Sequence, residues 1–330
     1  MRKYDVICVG EVLIDMISRE PGKSLSETGS FSKFAGGAPA NVAVGMAKLG
    51  RKVAFSGKVG RDPFGKFLRN YLNEYSVNTD LLQDDHFHKT RLAFVSIDRD
   101  GDRSFEFWEK SPADSALSLN DFSIDELNRA NIVHFGSLPL CTPDSRKVFL
   151  QLINSLESPN TLLSFDPNYR ESLWNTKEDA YKVLKTVASH VQILKMSLEE
   201  ALFLSGENSL SKAVPELFFS STKILAITRG KNGCFLKNQH AAVEVPAYKV
   251  EVKDTTGCGD AFLAGLLSGI IQSGKAPDEL NEEELYLIGR RANAAGALTA
   301  SRFGATEALP SQIELDEFMQ SVKKRVGNYL

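Results

Sequence analysis

The 330-residue sequence lacks the features that would place it in several large protein classes. It has no basic cluster: 39 lysines and arginines stand against 42 aspartates and glutamates, and the net charge is −3. Binding to nucleic acid is therefore not expected. No stretch approaches the roughly 18 consecutive apolar residues of a membrane span, so no membrane partner is expected either. The four cysteines are far apart and form no CxxC pair, which favours reduced thiols in a cytoplasmic protein over disulfides or a zinc site.

The first residues, MRKYDVICVGEVLIDMIS, place basic side chains before an apolar run, as a signal peptide would. Acidic residues at Asp5, Glu11 and Asp15 interrupt this run, and no small-residue cleavage site follows it. We therefore expect a first buried strand here rather than a targeting segment.

Short apolar runs alternate with amphipathic segments along the chain. The runs are YDVICVG, VAFSGKVG, NIVHFGSLPL, TLLSFDPN, HVQILKMS and KILAITRG. Helical periodicity occurs between them, for example at 62–75, 145–157 and 177–190. This alternation predicts an α/β fold, a doubly wound and mainly parallel sheet with helices on both faces. Ligands of such folds bind at the carboxyl ends of the strands.

Two regions, 12–35 and 89–110, contain strand-like stretches with no helix between them. The second has the pattern of a hairpin, and DRDGDR supplies residues that suit its turn. Together the two regions predict a small β-sheet that projects from the main sheet. An edge hairpin without a function is the alternative from pattern alone.

The segment DTTGCGDA, residues 254–261, stands at the start of an apolar stretch that predicts a buried helix ending near Gly274. A helix N-terminus has free N–H groups and a partial positive charge, which together attract anions. Gly257 and Gly259 allow the backbone to approach a phosphoryl oxygen closely. A carboxylate at Asp260 would then lie where it can accept a proton from an attacking hydroxyl. The alternative is that Asp254 and Asp260 only cap the helix.

Two other phosphate-binding motifs fail on inspection. GCGDAF has Phe262 at the third glycine position of the dinucleotide motif, and GRDPFGKF has Phe67 where a P-loop needs Ser or Thr. The second stretch instead predicts a helix with Asp62 as its cap and Pro63 as its first residue.

These segments resemble one family, the PfkB or ribokinase-like carbohydrate kinases. DTTGCGDAF is similar to the family's C-terminal signature, and FAGGAPANVAVGMAKLG to its N-terminal one. VGRDPFG, DPNYR, ITRGKNG and RANAAGALTA extend the resemblance over essentially the whole chain. It implies one ribokinase-like kinase domain over residues 1–330. About 12–35 and 89–110 would form a lid that closes over the sugar and excludes water.

The resemblance also implies roles for individual residues. Asp260 matches the catalytic base, and the backbone N–H groups of Gly257, Cys258 and Gly259 match the anion hole. The positions that match sugar-binding residues are Asp15, Gly36, Gly37, Asn41 and Arg170. Taken alone, Asn41 would be interpreted as an ordinary first-turn residue and Asp15 as an exposed strand acid.

ATP is the implied phosphoryl donor, and the positions that match its binding residues are Thr228, Gly230, Gly233 and Asn293. The family's N-x-x-E motif, which orders Mg²⁺ through water, appears as SLEE with Ser197 and Glu200. Ser197 departs from the pattern but keeps a side-chain oxygen. Asp254 and the carbonyls of Thr256 and Gly304 resemble a monovalent-cation site, which implies K⁺.

Cys258 is a second departure, because the family usually has Ala or Val there. Only its backbone N–H is needed, so the thiol has no expected role. The helix dipole lowers the pKa of such a thiol, while burial and the charge of Asp260 raise it. We expect exposure through the phosphate site to dominate and alkylating reagents to reach the sulfur.

Within the family, DPNYR, HKTRLAFV and SPADSAL are most similar to fructokinases, with 2-keto-3-deoxygluconate kinases as close neighbours. The latter bind a carboxylate and are expected to carry a cation on the lid, where this chain has Glu109 beside Lys110. We therefore expect phosphorylation of a ketohexose hydroxymethyl group, fructose to fructose 6-phosphate. A 2-keto-3-deoxygluconate kinase stays open, as does a non-catalytic sugar-binding regulator, although the intact Asp260 argues against the latter. A homodimer paired through the lid is also implied.

Overall fold

The computed structural model describes residues 3–97, 103–108, 111–156 and 160–327. Its strands are β1 Val6–Val9, β2 Leu13–Ser18, β3 Phe31–Gly36, β4 Val53–Gly60, β5 Leu82–Asp85, β6 Leu92–Ile97, β7 Arg103–Phe107, β8 Ile132–Phe135, β9 Leu162–Phe165, β10 Ile193–Ser197, β11 Ile224–Thr228, β12 Cys234–Lys237 and β13 Ala242–Val245. Its α-helices are α1 Ala38–Lys48, α2 Pro63–Glu74, α3 Ile124–Leu127, α4 Pro143–Asn154, α5 Lys177–Ala188, α6 Leu198–Ser205, α7 Leu210–Leu217, α8 Cys258–Ser273, α9 Glu282–Ala300 and α10 Gln312–Gly327.

Among the described residues, nine strands form one large sheet in the order β13-β12-β11-β10-β9-β8-β1-β4-β5. The strands from β11 to β5 in this order are all parallel, and β12 and β13 join antiparallel at one edge. The predicted doubly wound, mainly parallel sheet is confirmed. Three neighbouring strands, β9, β10 and β11, end side by side, and polar residues at these ends build the site described below.

Helices cover both faces of the large sheet, which explains why its strands are apolar throughout. In β1, Val6 and Cys8 pack into a core with α1, α2, α8 and α9, whereas Ile7 and Val9 pack into a second core with α4, α5, α6 and α7. All four side chains are fully buried. No helix among the residues described is long and apolar enough to cross a bilayer.

The small sheet is also present, with four strands in the order β3-β2-β6-β7. β2 pairs antiparallel with β3 and parallel with β6, and β6 pairs antiparallel with β7 as the hairpin pattern predicts. Most of the predicted turn, residues 98–102, lies outside the described residues. Glu109 and Lys110, whose charges entered the argument about the sugar, lie outside them as well.

Local rules account for the helix boundaries near the site. Asp62 caps α2 as predicted, because its carboxylate accepts hydrogen bonds from the N–H groups of Phe64 and Gly65. Gly274 ends α8 with a left-handed backbone at φ 67°, also as predicted.

Candidate active site

The entrance of α8 is shaped by two glycines and by a lysine on the neighbouring strand. Gly257 adopts φ 74°, and a Cβ atom there would lie 3.2 Å from the Ala305 carbonyl oxygen. A Cβ atom on Gly259 would lie 3.0 Å from Nζ of Lys195. The backbone at the helix N-terminus therefore faces an ammonium group at close range. Positive charge from the helix end and from Lys195 acts on the same space.

Asp260 lies in the first turn of α8 and is bound to Asn41 in the first turn of α1. Asn41 Nδ2 donates to Asp260 Oδ2 over 2.8 Å. Burial raises the pKa of Asp260 to about 6, with the Asn41 hydrogen bond and the charges of Lys195 and Arg170 acting in the opposite direction. A carboxyl group with this pKa is ionised at neutral pH and still basic enough to take a proton from a hydroxyl group.

Asn41 also carries an oxygen with no partner. Its side chain is buried, and no group in the described part of the chain donates to its Oδ1. A buried acceptor without a donor is costly, and a ligand hydroxyl next to Asp260 would supply the missing donor.

Lys195 forms a buried ion pair with Asp166 at the carboxyl end of the sheet. Its Nζ lies 2.6 Å from Asp166 Oδ2, and the two side chains are 8% and 4% exposed. Burial opposes the ammonium charge, but Asp166 and Glu200 hold the pKa of Lys195 above its ordinary value. The lysine is therefore a fixed cation that also acts on Asp260.

Glu200 and Ser197 cap the start of α6. Glu200 accepts hydrogen bonds from the backbone N–H groups of Ser197 at 2.7 Å and Tyr169 at 2.6 Å, and Ser197 Oγ accepts from the Glu200 N–H at 3.2 Å. Burial, followed by the charge of Asp166, raises the pKa of Glu200. Each carboxylate oxygen has a lone pair left, so this pair suits a metal ion held through its water shell rather than by direct bonds. In the part of the chain that the structure describes, no group of three His, Cys, Asp or Glu side chains forms a direct metal site.

A cavity of about 470 Å³ is lined by some of these groups, although neither Asp260 nor Asn41 is among its lining residues. The predicted residues that line it are Arg170, Ser197, Glu200, Thr228 and Gly259, together with the unpredicted Asp166 and Lys195. Residues from β9, β10, β11 and α8 thus share one polar cleft. Its mixture of lysine, arginine and carboxylates suits a phosphate chain with an associated cation.

Four of the five predicted sugar-binding residues, all except Arg170, lie where the small sheet meets α1. A Cβ atom at Gly36 would lie only 2.1 Å from Oδ2 of Asp15, so a side chain at Gly36 would displace this carboxylate. Gly37 precedes α1 with φ 106° and packs on the backbone of Glu11. Asn41 follows one turn later and reaches Asp260. The predicted sugar residues and the predicted base are therefore neighbours in space.

Three predicted nucleotide-binding residues have structural contacts of their own and do not line the cavity. Gly230 and Gly233 have left-handed φ angles of 53° and 85° in the turn after β11. A Cβ atom at Gly233 would lie 2.0 Å from the Val245 carbonyl oxygen. Asn293 donates to the carbonyls of Val245 and Pro246 at 3.0 and 3.1 Å, so its amide N–H groups hold the end of β13.

The three predicted cation ligands do come together. Asp254 accepts hydrogen bonds from Thr256 N at 3.0 Å and Oγ1 at 2.7 Å, and from Gly304 N at 3.2 Å. Two loops 50 residues apart are thereby joined next to the α8 entrance. The arrangement places one carboxylate beside two half-buried stretches of loop backbone, and oxygen donors of this kind suit an alkali cation better than a transition metal.

The profile of the pfkB family carbohydrate kinases matches residues 3–312. The chain belongs to this family. A probable fructokinase-2 of Arabidopsis thaliana is 37% identical over 96% of this chain and 95% of its own. Fructokinase of Xylella fastidiosa, solved with bound ATP, superposes with a TM-score of 0.88 at 32% identity, covering 98% of this chain and 100% of its own. A double mutant of the Vibrio cholerae O395 enzyme, solved with fructose, ADP and potassium, has a TM-score of 0.83 at 30% identity, covering 96% and 98%.

The pfkB family kinase contains two site residues that the sequence argument missed. Lys195 lies in the run HVQILKMS, and Asp166 begins DPNYR, of which only Arg170 was assigned. A lysine between apolar residues inside a buried strand is a usable signal, because lysine is almost never buried without a charged partner. The partner itself could be found only from the pairing of β9 with β10.

The expectation that Cys258 is reactive is contradicted in this kinase. Burial, followed by the charges of Asp254 and Asp260, raises the pKa of Cys258 to about 12. Its Sγ points at the Asp254 carbonyl oxygen at 3.8 Å. The positive end of the helix does not overcome these effects, so the thiol stays protonated. The Cys258 N–H donates to the Thr255 carbonyl over a long 3.3 Å, a bond that a phosphoryl oxygen would have to replace.

Proposed function

We propose that this pfkB family kinase is a fructokinase that transfers the γ-phosphoryl group of ATP to the 6-hydroxyl group of fructose. The observation that carries the proposal is the bond between Asn41 and Asp260 at the N-terminus of α8. It sets a carboxyl group of pKa about 6, in the first turn of α8, beside an amide whose oxygen lacks a donor. Lys195 lies at the same end of this helix, next to Gly259. The named relatives, all fructokinases, support fructose as the sugar.

Asp260 serves as the general base in this proposal. The carboxylate accepts the proton of the sugar hydroxyl, the hydroxyl oxygen forms its bond to the γ-phosphorus, and the bond from this phosphorus to the leaving ADP oxygen breaks. The N–H groups of Gly257, Cys258 and Gly259 face the developing negative charge. Lys195 adds a fixed positive charge, and its ion pair with Asp166 holds it in place.

The sugar lies between the small sheet and α1 in this proposal, with Asp15, Gly36, Gly37 and Asn41 around it and Arg170 at the opening. Donors on a polyol match the acceptors offered by Asp15 and Asn41. The small sheet acts as the lid that excludes water during transfer.

ATP occupies the cleft lined by Thr228, with Gly230, Gly233 and Asn293 shaping the turn and the end of β13 on the nucleotide side. Mg²⁺ would be held through water by Glu200 and Ser197, and it would neutralise phosphate charge. K⁺ would bind at Asp254 with the carbonyls of Thr256 and Gly304. Exchange of K⁺ for a bulky organic cation tests this last site. Turnover of wild type should fall on the exchange, whereas turnover of Asp254→Ala should be the same with either cation.

We also propose a homodimer that pairs through the lid. The aromatic rings of Phe31, Phe94 and Trp108 form a row on the small sheet, with centroids 5.3 and 5.6 Å apart, and Trp108 is 68% exposed. Exposed aromatic surface of this kind is common where subunits meet. Sedimentation of wild type and Trp108→Ser decides the point, since only the variant should dissociate.

A cytoplasmic location fits the four free cysteines and is part of the same proposal.

The test is a coupled ATP-consumption assay with fructose, ribose, tagatose and 2-keto-3-deoxygluconate. Fructose should have the highest kcat/KM. Asp260→Asn should lower kcat about 10²–10⁴-fold, the usual loss for a general base, with both KM values within several-fold of wild type. A preference for the acid sugar would favour the ketodeoxygluconate kinase, and no turnover with binding intact would favour a regulator. Turnover above about a tenth of wild type in Asp260→Asn would mean that this residue is only a helix cap.

A further inference from the structure

Asn168, in the loop after β9, has a backbone conformation that L-amino acids rarely adopt. Its φ angle is 38°, and among the described residues other than glycine only Ser76 also has a positive φ. Asparagine enters this left-handed region more readily than most residues, whereas a β-branched side chain is strongly disfavoured there. Strain of this kind persists only where the surrounding contacts impose it, and it is concentrated at functional sites.

The contact that precedes Asn168 leads to Lys195. Asp166 Oδ1 accepts a hydrogen bond from the Asn168 N–H over 3.2 Å, while Oδ2 of the same carboxylate binds Lys195 Nζ at 2.6 Å. Pro167, between the two ends of this turn, restricts its own φ angle and the conformation of the residue before it. The side chain that anchors the lysine is therefore itself bonded to the backbone of the turn.

The contacts that follow Asn168 lead to Glu200. The Tyr169 N–H donates to Glu200 Oε1 over 2.6 Å. The ring of Tyr169 stacks on that of Phe203, with centroids 4.8 Å and planes 18° apart. Glu200 and Phe203 both belong to α6, so the residue after the turn is bound to this helix by its backbone and by its ring. Asn168 and Tyr169 line the same cavity as Lys195 and Glu200.

We propose that the left-handed backbone of Asn168 positions Lys195 and Glu200 relative to each other. Residue 168 joins a contact to β10 on one side with contacts to α6 on the other. A change of φ to the helical range, about 100° away, would turn the Tyr169 N–H away from Glu200 as long as Asp166 keeps its place. Asn168 is thus a positioning residue, because it acts through the lysine and the carboxylate and not on the reacting atoms.

This inference rests on the proposed role of Glu200, which is to hold Mg²⁺ through its water shell. The Ser197 N–H binds only the other oxygen of this carboxylate, Oε2, at 2.7 Å. Without the Tyr169 N–H, Oε1 would no longer be held in place. Loss of a group that orients a metal-binding side chain usually weakens metal binding about 10–100-fold. A side chain that excludes the left-handed conformation at residue 168 should therefore weaken divalent-metal binding.

The test measures Mn²⁺ binding in the presence of ADP by electron paramagnetic resonance, without any sugar, so that no turnover is involved. It compares wild type with Asn168→Gly and Asn168→Val. Both variants lack the amide, but glycine adopts a positive φ freely and valine does not. Asn168→Gly should bind Mn²⁺ within several-fold of wild type, whereas Asn168→Val should bind about 10–100-fold more weakly. The kcat values for fructose should follow the same order.

Ser76→Val is the matched control. Ser76 has φ 61° at an exposed position after α2, two residues before Asn78, whose N–H donates to Val53 at the start of β4. The substitution therefore imposes the same backbone strain at the opposite end of the strands from the cleft. It should lower the melting temperature as Asn168→Val does, and leave Mn²⁺ binding and kcat as in wild type. If Asn168→Val does not fold, Asn168→Ala, which lacks the β-branch, takes its place in the comparison.

Two results would overturn the proposal. One is normal Mn²⁺ binding in Asn168→Val, and the other is an equal loss in Asn168→Gly and Asn168→Val, which would mean that the amide matters and the backbone does not. Glu200→Gln separates these results from a failure of the proposed metal role. If Glu200→Gln binds Mn²⁺ as tightly as wild type, that role is wrong and the inference falls with it. If Glu200→Gln binds weakly while Asn168→Val binds normally, only the role of Asn168 is wrong.

Discussion

Removal of the Asn41 amide should shift the acidic limb of the pH profile of enzyme activity to higher pH. Asn41 donates to the Asp260 carboxylate over 2.8 Å, which stabilises the ionised form. A hydrogen bond to a charged group contributes about 1.5–3 kcal/mol. A loss of about 2 kcal/mol corresponds to roughly 1.5 pKa units. Asn41→Ala should therefore raise the pKa of Asp260 from about 6 to roughly 7.5.

The sign follows from the role of Asp260 as a base, which must be deprotonated to act. Turnover is lost as the pH falls through its pKa, so the limb should begin at higher pH in the variant. At pH 7 about nine tenths of wild-type Asp260 is ionised, against roughly a quarter in Asn41→Ala, which predicts a fourfold lower kcat/KM for fructose from this cause. The deficit from this cause should grow to more than tenfold at pH 6 and nearly vanish by pH 8.5.

The assay is kcat/KM for fructose against pH at saturating ATP, because this quantity reports the pKa of Asp260 in the enzyme without bound sugar. The loss of a sugar contact in Asn41→Ala lowers kcat/KM by the same factor at every pH and leaves the position of the limb unchanged. Asn208→Ala removes an exposed amide between α6 and α7 and is the matched control, which should overlay wild type. A uniform drop in kcat/KM at all pH values, with no shift of the limb, would refute the reasoning, because it would show that Asn41 does not act through the ionisation of Asp260.

Two further predictions concern Lys195 on β10 and Cys258 at the start of α8. Lys195→Met should lower kcat about 10²–10³-fold, as the loss of a group that stabilises transition-state charge does. It should also destabilise the fold by about 3–5 kcal/mol, because Asp166 is left buried and unpaired. Adding Asp166→Asn should restore the melting temperature but not the turnover, and recovery of both would show that the pair is only structural. Cys258→Ala should keep kcat within several-fold of wild type, and iodoacetamide at pH 7 should leave wild type active. Inactivation of wild type but not of the variant would mean that the thiol is accessible and ionised.

Much of the fold could be predicted, because strands that are covered by helices on both faces have a strong local pattern in the sequence. Runs such as VICV in β1 are apolar at every position only if both faces are buried, and this alone indicated a parallel sheet between helices. The antiparallel edge formed by β12 and β13 was not predicted. These strands are four residues each, and β13 alternates between exposed and buried side chains, so they give a weaker signal.

The site was harder to predict because its members meet only through tertiary structure. The α8 entrance could be predicted from DTTGCGDA, since helix capping and glycine freedom are local. The bond between Lys195 and Asp166 depends on which strands are neighbours, and nothing local reports this. The pKa of Cys258 was misjudged for a related reason: the dipole of a helix can be inferred from sequence, but the depth at which its first turn is buried cannot.

The contact between Asn41 and Asp260 joins residues 219 positions apart. The catalytic centre is thus assembled from the beginning and the far end of the polypeptide, and no contiguous fragment shorter than this separation contains it. Contacts of such long range are slow to form, because the intervening chain must first be organised. During renaturation, helical structure should return well before turnover, with recovered activity marking completion of the native topology. The activity of the enzyme is therefore itself a measure of correct folding.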